Sequence, residues 1–302
     1  MGKNQIIETK IGNKIWIDIT NPTHKKLIEF KDKYKIHEAD IHDAMDKVVI
    51  PKTFEHKNYL FIAIHAIHYS NNQINLQEID FFFSKHFIIT IHNQPIDFLD
   101  NICEEIYPEI SCHNTAHVLF RILKHINISQ REIIKNYAND INQLEIDITT
   151  EKNNERKTIS NILSIRKNIL QLINVSQPNI VVIKEIHKSD IIKNSFSNYQ
   201  VYFDSLVESQ EKSYNMLKHY LEVTNGLIDT INIMVNYRFN DIIKILTIVS
   251  VSLLPLTLIS GILGMNFSSS IFDMPYGFTI TIIFMILLEI LIIQYFKYKK
   301  WL

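Results

Sequence analysis

A short polar tripeptide, Gly264-Met265-Asn266, directly follows a long apolar run of the sequence. Glycine allows backbones to approach closely, and a carboxamide offers hydrogen-bond donors and acceptors without carrying a charge. If several copies of the chain surround one axis, the Asn266 side chains would form a ring of amides at the mouth of a pore. Such a ring can hold a hydrated cation through its waters. The tripeptide is therefore a candidate selectivity filter, with Asn266 as the group that contacts the hydrated ion.

A stripe of mostly small or hydroxyl-bearing residues precedes the tripeptide. Its members recur at alternating spacings of three and four residues, so they share one face of a helix. They are Asn240, Ile243, Thr247, Ser250, Leu254, Thr257, Gly261 and Gly264. Small residues also favour close packing of membrane helices, so packing alone is one interpretation of this stripe. The other is a pore lining, which also explains why the stripe begins with an asparagine and ends beside another.

Two segments are long and apolar enough to cross a membrane. They cover residues 242–263 and 278–296, and each approaches the ~20 residues that a hydrocarbon core of ~30 Å requires. Basic residues flank their other ends: Arg238, Lys244, Lys297, Lys299 and Lys300. The positive-inside rule then places both termini in the cytoplasm and the short loop outside. We expect the membrane to be a bacterial-type inner membrane. Glu289 lies inside the second segment, where we expect a protonated or hydrogen-bonded link between the helices rather than a transport role.

The part before the membrane segments changes character along its length. Alternating and aromatic runs predict strands over 14–20, 58–69, 74–84 and 86–92, with helices over 23–34, 38–45 and 96–107. Helical spacing then predicts long helices over 113–150, 158–187 and 198–263. The last would be on the order of 100 Å long, and it is too polar to be buried in a monomer. The fold class is α+β, with a cytoplasmic α/β domain (1–110), a helical region with a stalk helix (111–240) and a two-helix transmembrane domain (241–302).

Other kinds of chemistry have little support in the sequence. The formal net charge of −1 argues against a general nucleic-acid binder. The cysteines, Cys103 and Cys112, are expected to be reduced thiols of a cytoplasmic domain. The 13 histidines lack convincing metal-ligand spacing, so we expect packing or surface roles for them. No arrangement of nucleophile and base predicts an enzyme.

These features together resemble the CorA family of divalent-cation channels, which belongs to the Gly-Met-Asn metal-transporter superfamily. The match is densest over residues 240–247, 254–257, 260–267 and 299–302, with weaker patches at 21–24, 51–55, 58–61 and 81–90. The resemblance implies a homopentamer with a funnel of long helices and a pore lined by the first membrane helix. It implies Mg²⁺ as cargo, with Co²⁺ or Ni²⁺ as further candidates.

Two further expectations follow from the resemblance. Members of the family are held shut by cytoplasmic Mg²⁺ bound to acidic residues between subunits, and the best counterparts here are Asp204 and Glu208. The chain departs from the family at Leu263, where an aromatic residue is usual. It also departs in the outer loop, where Met274-Pro275-Tyr276 lacks the usual acid and leaves Asp273 as the only nearby carboxylate.

On this interpretation the chemistry of the pore varies along its length. Ile243, Leu246 and Leu254 would form apolar constrictions that close by losing water, and Thr257 with Gly261 would form a polar middle site. Mg²⁺ holds its water shell tightly, so amides that bond those waters would select the hydrated ion by size. Two charges moving down the membrane potential release about 4–5 kcal/mol per 100 mV, so uptake needs no nucleotide.

Two other functions remain open at the level of sequence. A zinc transporter of the same superfamily, similar to ZntB proteins, would carry the same tripeptide. A two-span membrane sensor or scaffold, whose stalk signals without conducting, would have its polar stripe packed shut rather than facing a central axis.

Overall fold

The computed structural model of the chain describes residues 5–46, 50–70, 73–96, 98–99, 102, 114–150, 155–265 and 276–301. The chain divides into two compact units, Met1–Ile228 and Asp229–Leu302. The boundary between them falls within the longest helix.

The first unit is built on a six-stranded sheet. Its strands are β1 (Gln5–Ile11), β2 (Lys14–Thr20), β3 (Lys52–Glu55), β4 (Leu60–Ser70), β5 (Gln73–Phe83) and β6 (Phe87–His92). Their order across the sheet is β1-β2-β6-β5-β4-β3. Neighbouring strands are antiparallel except for β2 and β6, which are parallel and place Ile17 opposite Ile89. A parallel pair requires a long crossover, and here the crossover contains β3, β4, β5 and two helices.

Buried polar side chains join the two parallel strands. His92 Nε2 lies 3.1 Å from Asp18 Oδ2, and Trp16 Nε1 donates a hydrogen bond of 3.1 Å to Thr90 Oγ1. The Thr90 hydroxyl in turn donates to Asp18. Because each of these groups is buried, the hydrogen bonds between them offset much of the cost of removing them from water. His92 therefore has the packing role that the sequence predicted for the histidines.

Helices cover both faces of the sheet. On one face, α1 (His24–Tyr34) and α2 (Glu38–Met45) pack through Leu27, Phe30 and Ile41. On the other face lie α3 (Thr115–Thr149) and α4 (Glu155–Lys188), which contribute Leu119 and Ile183 to a second core cluster. The sheet is therefore a central layer, which explains why β4 and β6 read as nearly continuous apolar runs.

The other helices among the described residues are α5 (Asp190–Ser195), a short 3-10 helix (Ser197–Tyr199), α6 (Gln200–Leu263) and α7 (Gly277–Tyr298). α6 is continuous over 64 residues and contains Pro255 near its end. Its buried positions in the first unit recur at spacings of three and four, beginning with Phe203, Leu206 and Gln210. α7 and the last part of α6 belong to the second unit.

The predicted fold class is confirmed, with a sheet-containing N-terminal part, long helices and two apolar C-terminal helices. The sequence missed β1 and β3, and it placed the start of α4 three residues too late. Of the helix predicted over 96–107, only residues 96, 98, 99 and 102 are described, and both cysteines lie outside the described residues. The two boundaries between the three predicted domains stay a prediction.

Candidate ion pathway

The predicted stripe lies on α6, from Asn240 to Gly261. Gly264 and Met265 follow directly after the helix, where the Gly264 N–H donates to the carbonyl of Ser260 at 2.9 Å. Asn266 lies outside the described residues. The structure therefore places the stripe and the first two residues of the tripeptide at one helix end, and the position of the asparagine side chain stays a prediction.

The apolar surface of both C-terminal helices is exposed in the single chain. Each has an 18-residue window of mean hydropathy 2.3, of which 6% is buried. The apolar helix of a soluble core would be mostly buried, so these helices require another covering. On the stripe itself, Ile243 is 44% exposed and Leu254 is 67% exposed. Lipid or other copies of the chain can supply the cover.

The threonines of the stripe present oxygen lone pairs. Thr247 donates its hydroxyl hydrogen to the carbonyl of Ile243 at 2.7 Å, and Thr257 donates to that of Leu253 at 2.8 Å. Each hydroxyl has one hydrogen to donate and two lone pairs that accept. Because the hydrogen is used within the helix, the oxygen is left as an acceptor. This favours contact with species that donate hydrogen bonds, such as the waters around a cation.

The two glycines at the end of α6 differ in their surroundings. A Cβ added at Gly264 would lie 3.2 Å from the carbonyl oxygen of Ser260 and 3.6 Å from that of Gly261. A Cβ at Gly261 would meet no heavy atom within 4 Å in the described part of the chain. Gly264 is therefore constrained by its own helix end. Gly261 is not constrained by the described part of its own chain.

The start of the apolar part of α6 and the end of α7 carry charges and aromatic rings. On α6, Lys244 Nζ lies 2.9 Å from Asp241 Oδ1. After α7, the ring of Trp301 stacks on Phe296 with centroids 5.7 Å apart. Trp at a helix end suits the interface between lipid and water.

Glu289 lies in the third turn from the end of α7. Its Oε2 atom is buried and makes no hydrogen bond with the residues that the structure describes. The predicted hydrogen bond between the two helices is therefore not made by this atom, and its protonation stays a prediction.

The two candidate regulatory acids lie one helical turn apart on α6, and each faces a basic side chain. Asp204 Oδ1 is 3.3 Å from His187 Nε2, and Glu208 Oε1 is 2.7 Å from Lys212 Nζ. The hydrogen bond from Lys212 lowers the pKa of Glu208 below its ordinary value. In the described residues, no group of three or more His, Cys, Asp or Glu side chains could hold a metal. Within the described part of one chain, each of these acids therefore contacts a basic side chain and does not contribute to a metal site.

Several buried polar residues on the helices were not predicted from the sequence. Gln210 is fully buried although it lies on the same helix as the candidate regulatory acids. It occupies a position in the three-and-four repeat that apolar residues fill at Leu206 and Leu217. A glutamine inside such a repeat is the only signal that could have found it.

A profile of the family described as CorA-like Mg²⁺ transporter protein matches residues 12–299. The chain belongs to the CorA family. It is therefore a divalent-cation transporter with two apolar helices in its C-terminal part.

Known relatives match along nearly the whole chain. A putative metal ion transporter, YfjQ of Bacillus subtilis, is 24% identical over 294 residues, which cover 95% of this chain and 89% of the relative. A cobalt/magnesium transport protein, CorA of Methanocaldococcus jannaschii, is 23% identical over 296 residues, covering 95% and 91%.

Solved structures show the same fold. The complete CorA magnesium transporter of Methanocaldococcus jannaschii superposes with a TM-score of 0.85 at 23% identity, covering 98% of this chain and 94% of that one. The cytoplasmic domain of ZntB from Vibrio parahaemolyticus superposes with a TM-score of 0.67 at 11% identity, covering 78% and 100%.

Proposed function

We propose that this CorA-family chain forms a homopentameric Mg²⁺ channel, with α6 lining the pore and the Gly264-Met265-Asn266 tripeptide as its selectivity filter. The observation that carries the proposal is the exposed stripe of α6, which leads directly to that tripeptide. Co²⁺ is a further ion to be tested, because two relatives are named cobalt/magnesium transport proteins, and Ni²⁺ is the other candidate cargo.

The exposed surface of the stripe supports assembly around an axis. Lipid can cover Ile243 and Leu254, but a membrane helix does not expose polar groups to hydrocarbon without cost. Thr257 and Ser250 are exposed in the single chain and follow the same face. In a pentamer that turns this face inward, these hydroxyls would meet the water and ions of the pore.

The ion path has three kinds of surface in this proposal. Asn266 amides at the outer mouth bind the waters of the hydrated ion. Thr257 and Gly261 form the polar middle site, where the threonine oxygen is an acceptor. Ile243, Leu246 and Leu254 form apolar rings, which lose water and close the path when the pore narrows.

The direction of transport follows from charge and topology. Lys297, Lys299 and Lys300 follow α7 and favour a cytoplasmic C-terminus, which places the N-terminal unit on the same side. The membrane potential then drives the cation inward. Membrane lipid covers the outer faces of the two spans.

Regulation by cytoplasmic Mg²⁺ would use Asp204 and Glu208. Both side chains are well exposed, at 65% and 67%, so a neighbouring subunit could reach them. Mg²⁺ prefers oxygen ligands and keeps several waters. A bound ion would replace the contacts with His187 and Lys212, and it would gain ligands from the neighbour.

A zinc transporter is the second candidate, supported by the similarity of the cytoplasmic fold to that of ZntB. One experiment compares the two. The purified full chain is reconstituted in liposomes, and uptake of Mg²⁺, Zn²⁺ and Co²⁺ is measured with and without an inside-negative potential. We expect Mg²⁺ uptake that rises with the potential. Zn²⁺ uptake without Mg²⁺ uptake would favour the second candidate, and dimers without flux would favour a scaffold.

The variant Asn266→Ala tests the filter in the same assay. We expect Mg²⁺ flux to be lost while the oligomer still assembles, as judged by native mass spectrometry. The matched control is Asn215→Ala, which removes an exposed amide from the first unit's part of α6. Wild-type flux in Asn266→Ala would contradict the proposed filter.

A further inference from the structure

A layer of buried polar side chains crosses the helices of the first unit. It consists of Asn127 and Gln130 on α3, Ser176 on α4, and Gln210 and Ser213 on α6. Each of these residues is at most 3% exposed. This polar layer is separate from the ion path and from the candidate regulatory acids, and it interrupts a helix interface that is otherwise mostly apolar.

The register of the helices brings these residues to one level. The rings of Phe120 on α3 and Phe203 on α6 are 6.2 Å apart between centroids. Further along, Arg131 and Lys135 line one cavity with Met216, so the two helices run alongside each other in the same direction. Seven residues make about two turns of a helix. Asn127 and Gln210 each lie seven residues after the phenylalanine of their own helix, and Gln130 and Ser213 each lie ten residues after it. Each pair is therefore expected at the same level of the two helices.

α4 joins the layer from the third side. Gln130 Nε2 donates a hydrogen bond of 2.7 Å to Ser176 Oγ. The neighbouring Gln177 accepts a hydrogen bond of 3.4 Å from the hydroxyl of Tyr214, which follows Ser213 on α6. The three helices therefore meet at this level.

The hydrogen bonds inside the layer are incomplete. Ser176 donates to the carbonyl of Leu172 at 2.6 Å, and Ser213 donates to that of Ser209 at 3.0 Å, so both hydroxyl hydrogens are used. Among the described residues, the side-chain oxygens of Asn127, Gln130 and Gln210 have no hydrogen-bond partner, and neither does the Gln210 amide nitrogen. Buried polar groups are normally hydrogen-bonded. The three side-chain oxygens and the one amide nitrogen therefore need a hydrogen-bonding partner that the described side chains do not supply.

The presence of both acceptors and a donor among these groups indicates which partner fits them. A metal cation could bind the three oxygens, but it would be a buried charge in a layer that has no charged side chain. It would also leave the Gln210 amide nitrogen without a partner. Water donates two hydrogen bonds and accepts others, so it can satisfy carboxamide oxygens and the amide nitrogen together. The chemistry of the layer therefore favours water over a cation.

We propose that the polar layer binds ordered internal water, which bridges Gln210 on α6 to Asn127 and Gln130 on α3. The proposed hydration does not depend on the proposed transport function.

Thermal unfolding of the detergent-solubilised full chain tests the bridge without measuring flux. The variants are Asn127→Leu, Gln210→Leu and the two combined, with Gln210→Met as a flexible alternative. If water bridges the residues, each single change leaves partners unsatisfied, and the midpoint falls by about 2–4 °C. The midpoint of the double variant should fall by much less than the sum of the two single shifts, because the first change already breaks the bridge.

The control is Thr224→Val, which removes a fully buried hydroxyl that is bonded to Leu221 of its own helix at 2.8 Å. Its effect should add to that of Asn127→Leu. If instead each leucine variant raises the midpoint and the effects add, the layer is dry and the proposal is wrong.

Radiolytic hydroxyl labelling provides a second measurement. Bound water produces radicals next to buried side chains, so Leu206 and Leu217 should be labelled although they are 3% and 0% exposed. Leu27, which is 1% exposed and lies on α1, should not be labelled. In the variant Gln210→Met, the labelling of Leu206 and Leu217 should fall. Equal labelling of all three leucines, or none, would overturn the proposal.

Discussion

Thr257 donates its hydroxyl hydrogen to the carbonyl oxygen of Leu253, at a distance of 2.8 Å. The bond fixes the threonine as an acceptor on the exposed face of α6. A hydrated cation presents only water hydrogens to its surroundings, so an acceptor is the group that such an ion requires. This single bond links the local geometry of the helix to the proposed chemistry of the pore.

The first prediction concerns that oxygen. Thr257→Val keeps the shape of the side chain but removes the acceptor. Because a hydrogen bond contributes about 1 kcal/mol, we expect Mg²⁺ flux in proteoliposomes to fall about 5- to 10-fold. Thr257→Ser should keep most of the flux.

The matched control is Thr281→Val on α7. Thr281 also donates to its own helix, to the carbonyl of Gly277 at 3.0 Å, but it lies outside the stripe. Equal losses in Thr257→Val and Thr281→Val would show that the stripe has no special role.

The second prediction concerns the helix end at Gly264. Gly264→Ala would place a Cβ 3.2 Å from the carbonyl oxygen of Ser260, and that carbonyl would have to move by a few tenths of an ångström. Met265 and Asn266 follow directly, so this shift should displace the proposed filter. Because a small misplacement at a functional centre can lower its rate strongly, we expect Mg²⁺ flux to fall about 10-fold or more.

The control for that change is Gly226→Ala, since a Cβ there meets no heavy atom within 4 Å in the described chain. Alanine is the better helix former by about 1 kcal/mol, so this variant should be at least as stable as the wild type. If Gly264→Ala conducts normally, the close approach at the helix end has no functional importance.

The third prediction concerns the candidate regulatory acids. In the double variant Asp204→Lys and Glu208→Lys, the positive charges of the two lysines would repel Mg²⁺ instead of binding it. We expect the Mg²⁺ concentration that half-inhibits the current to rise about 10-fold or more, corresponding to the loss of about 1.4 kcal/mol of binding. Patch recordings of giant proteoliposomes would measure it.

Glu211→Gln is the control for regulation, because Glu211 is also an acid on α6 and pairs with Lys184 at 2.6 Å. It should leave inhibition unchanged. If the lysine double variant shows normal inhibition, these acids do not bind the regulatory ion.

The fourth prediction concerns the dependence of stability on pH. Burial, together with the nearby carboxylates of Glu78 and Asp43, raises the pKa of Asp80 well above its ordinary value. The folded state therefore holds this proton more tightly than the unfolded chain does. The contribution of Asp80 is most favourable below the unfolded pKa of about 3.9, and it is lost as the pH rises through the raised value.

Asp80→Asn cannot ionise, so it should unfold at a higher temperature than the wild type at pH 8, by about 2–4 °C. The difference should shrink toward pH 4. Asp32→Asn, which changes an exposed acid on α1, should show no such trend. A gain from Asp80→Asn that is the same at every pH would contradict the raised pKa.

The sequence predicted elements whose pattern reflects their burial. β2 and β6 carry runs of apolar and aromatic residues because helices cover both faces of the sheet. β1 was missed because it buries only Thr9 and Ile11, so its outer residues show no regular pattern. β3 was missed because it has four residues and none is buried.

The candidate site was predicted only as far as local spacing reaches. The stripe on α6 follows from helix periodicity alone. The contact between Asp204 and His187 joins two helices, and neither side chain reveals the other in the sequence. Gln210 is similar, because its burial depends on the helices that pack against α6. Contacts between residues on different helices depend on tertiary packing. The spacing of residues within one helix does not reveal such contacts.

The parallel pairing of β2 and β6 also governs the order of folding during synthesis. Asp18 and His92 are separated by 74 positions, so β2 is complete long before its partner exists. At ribosomal rates of 5–20 residues per second, the interval is about 4–15 s. During that time β1 and β2 can form only a two-stranded hairpin, which is marginally stable alone. The nascent sheet thus has an unpaired edge until β6 emerges, and a chaperone that covers this edge would protect the chain before any membrane helix is synthesised.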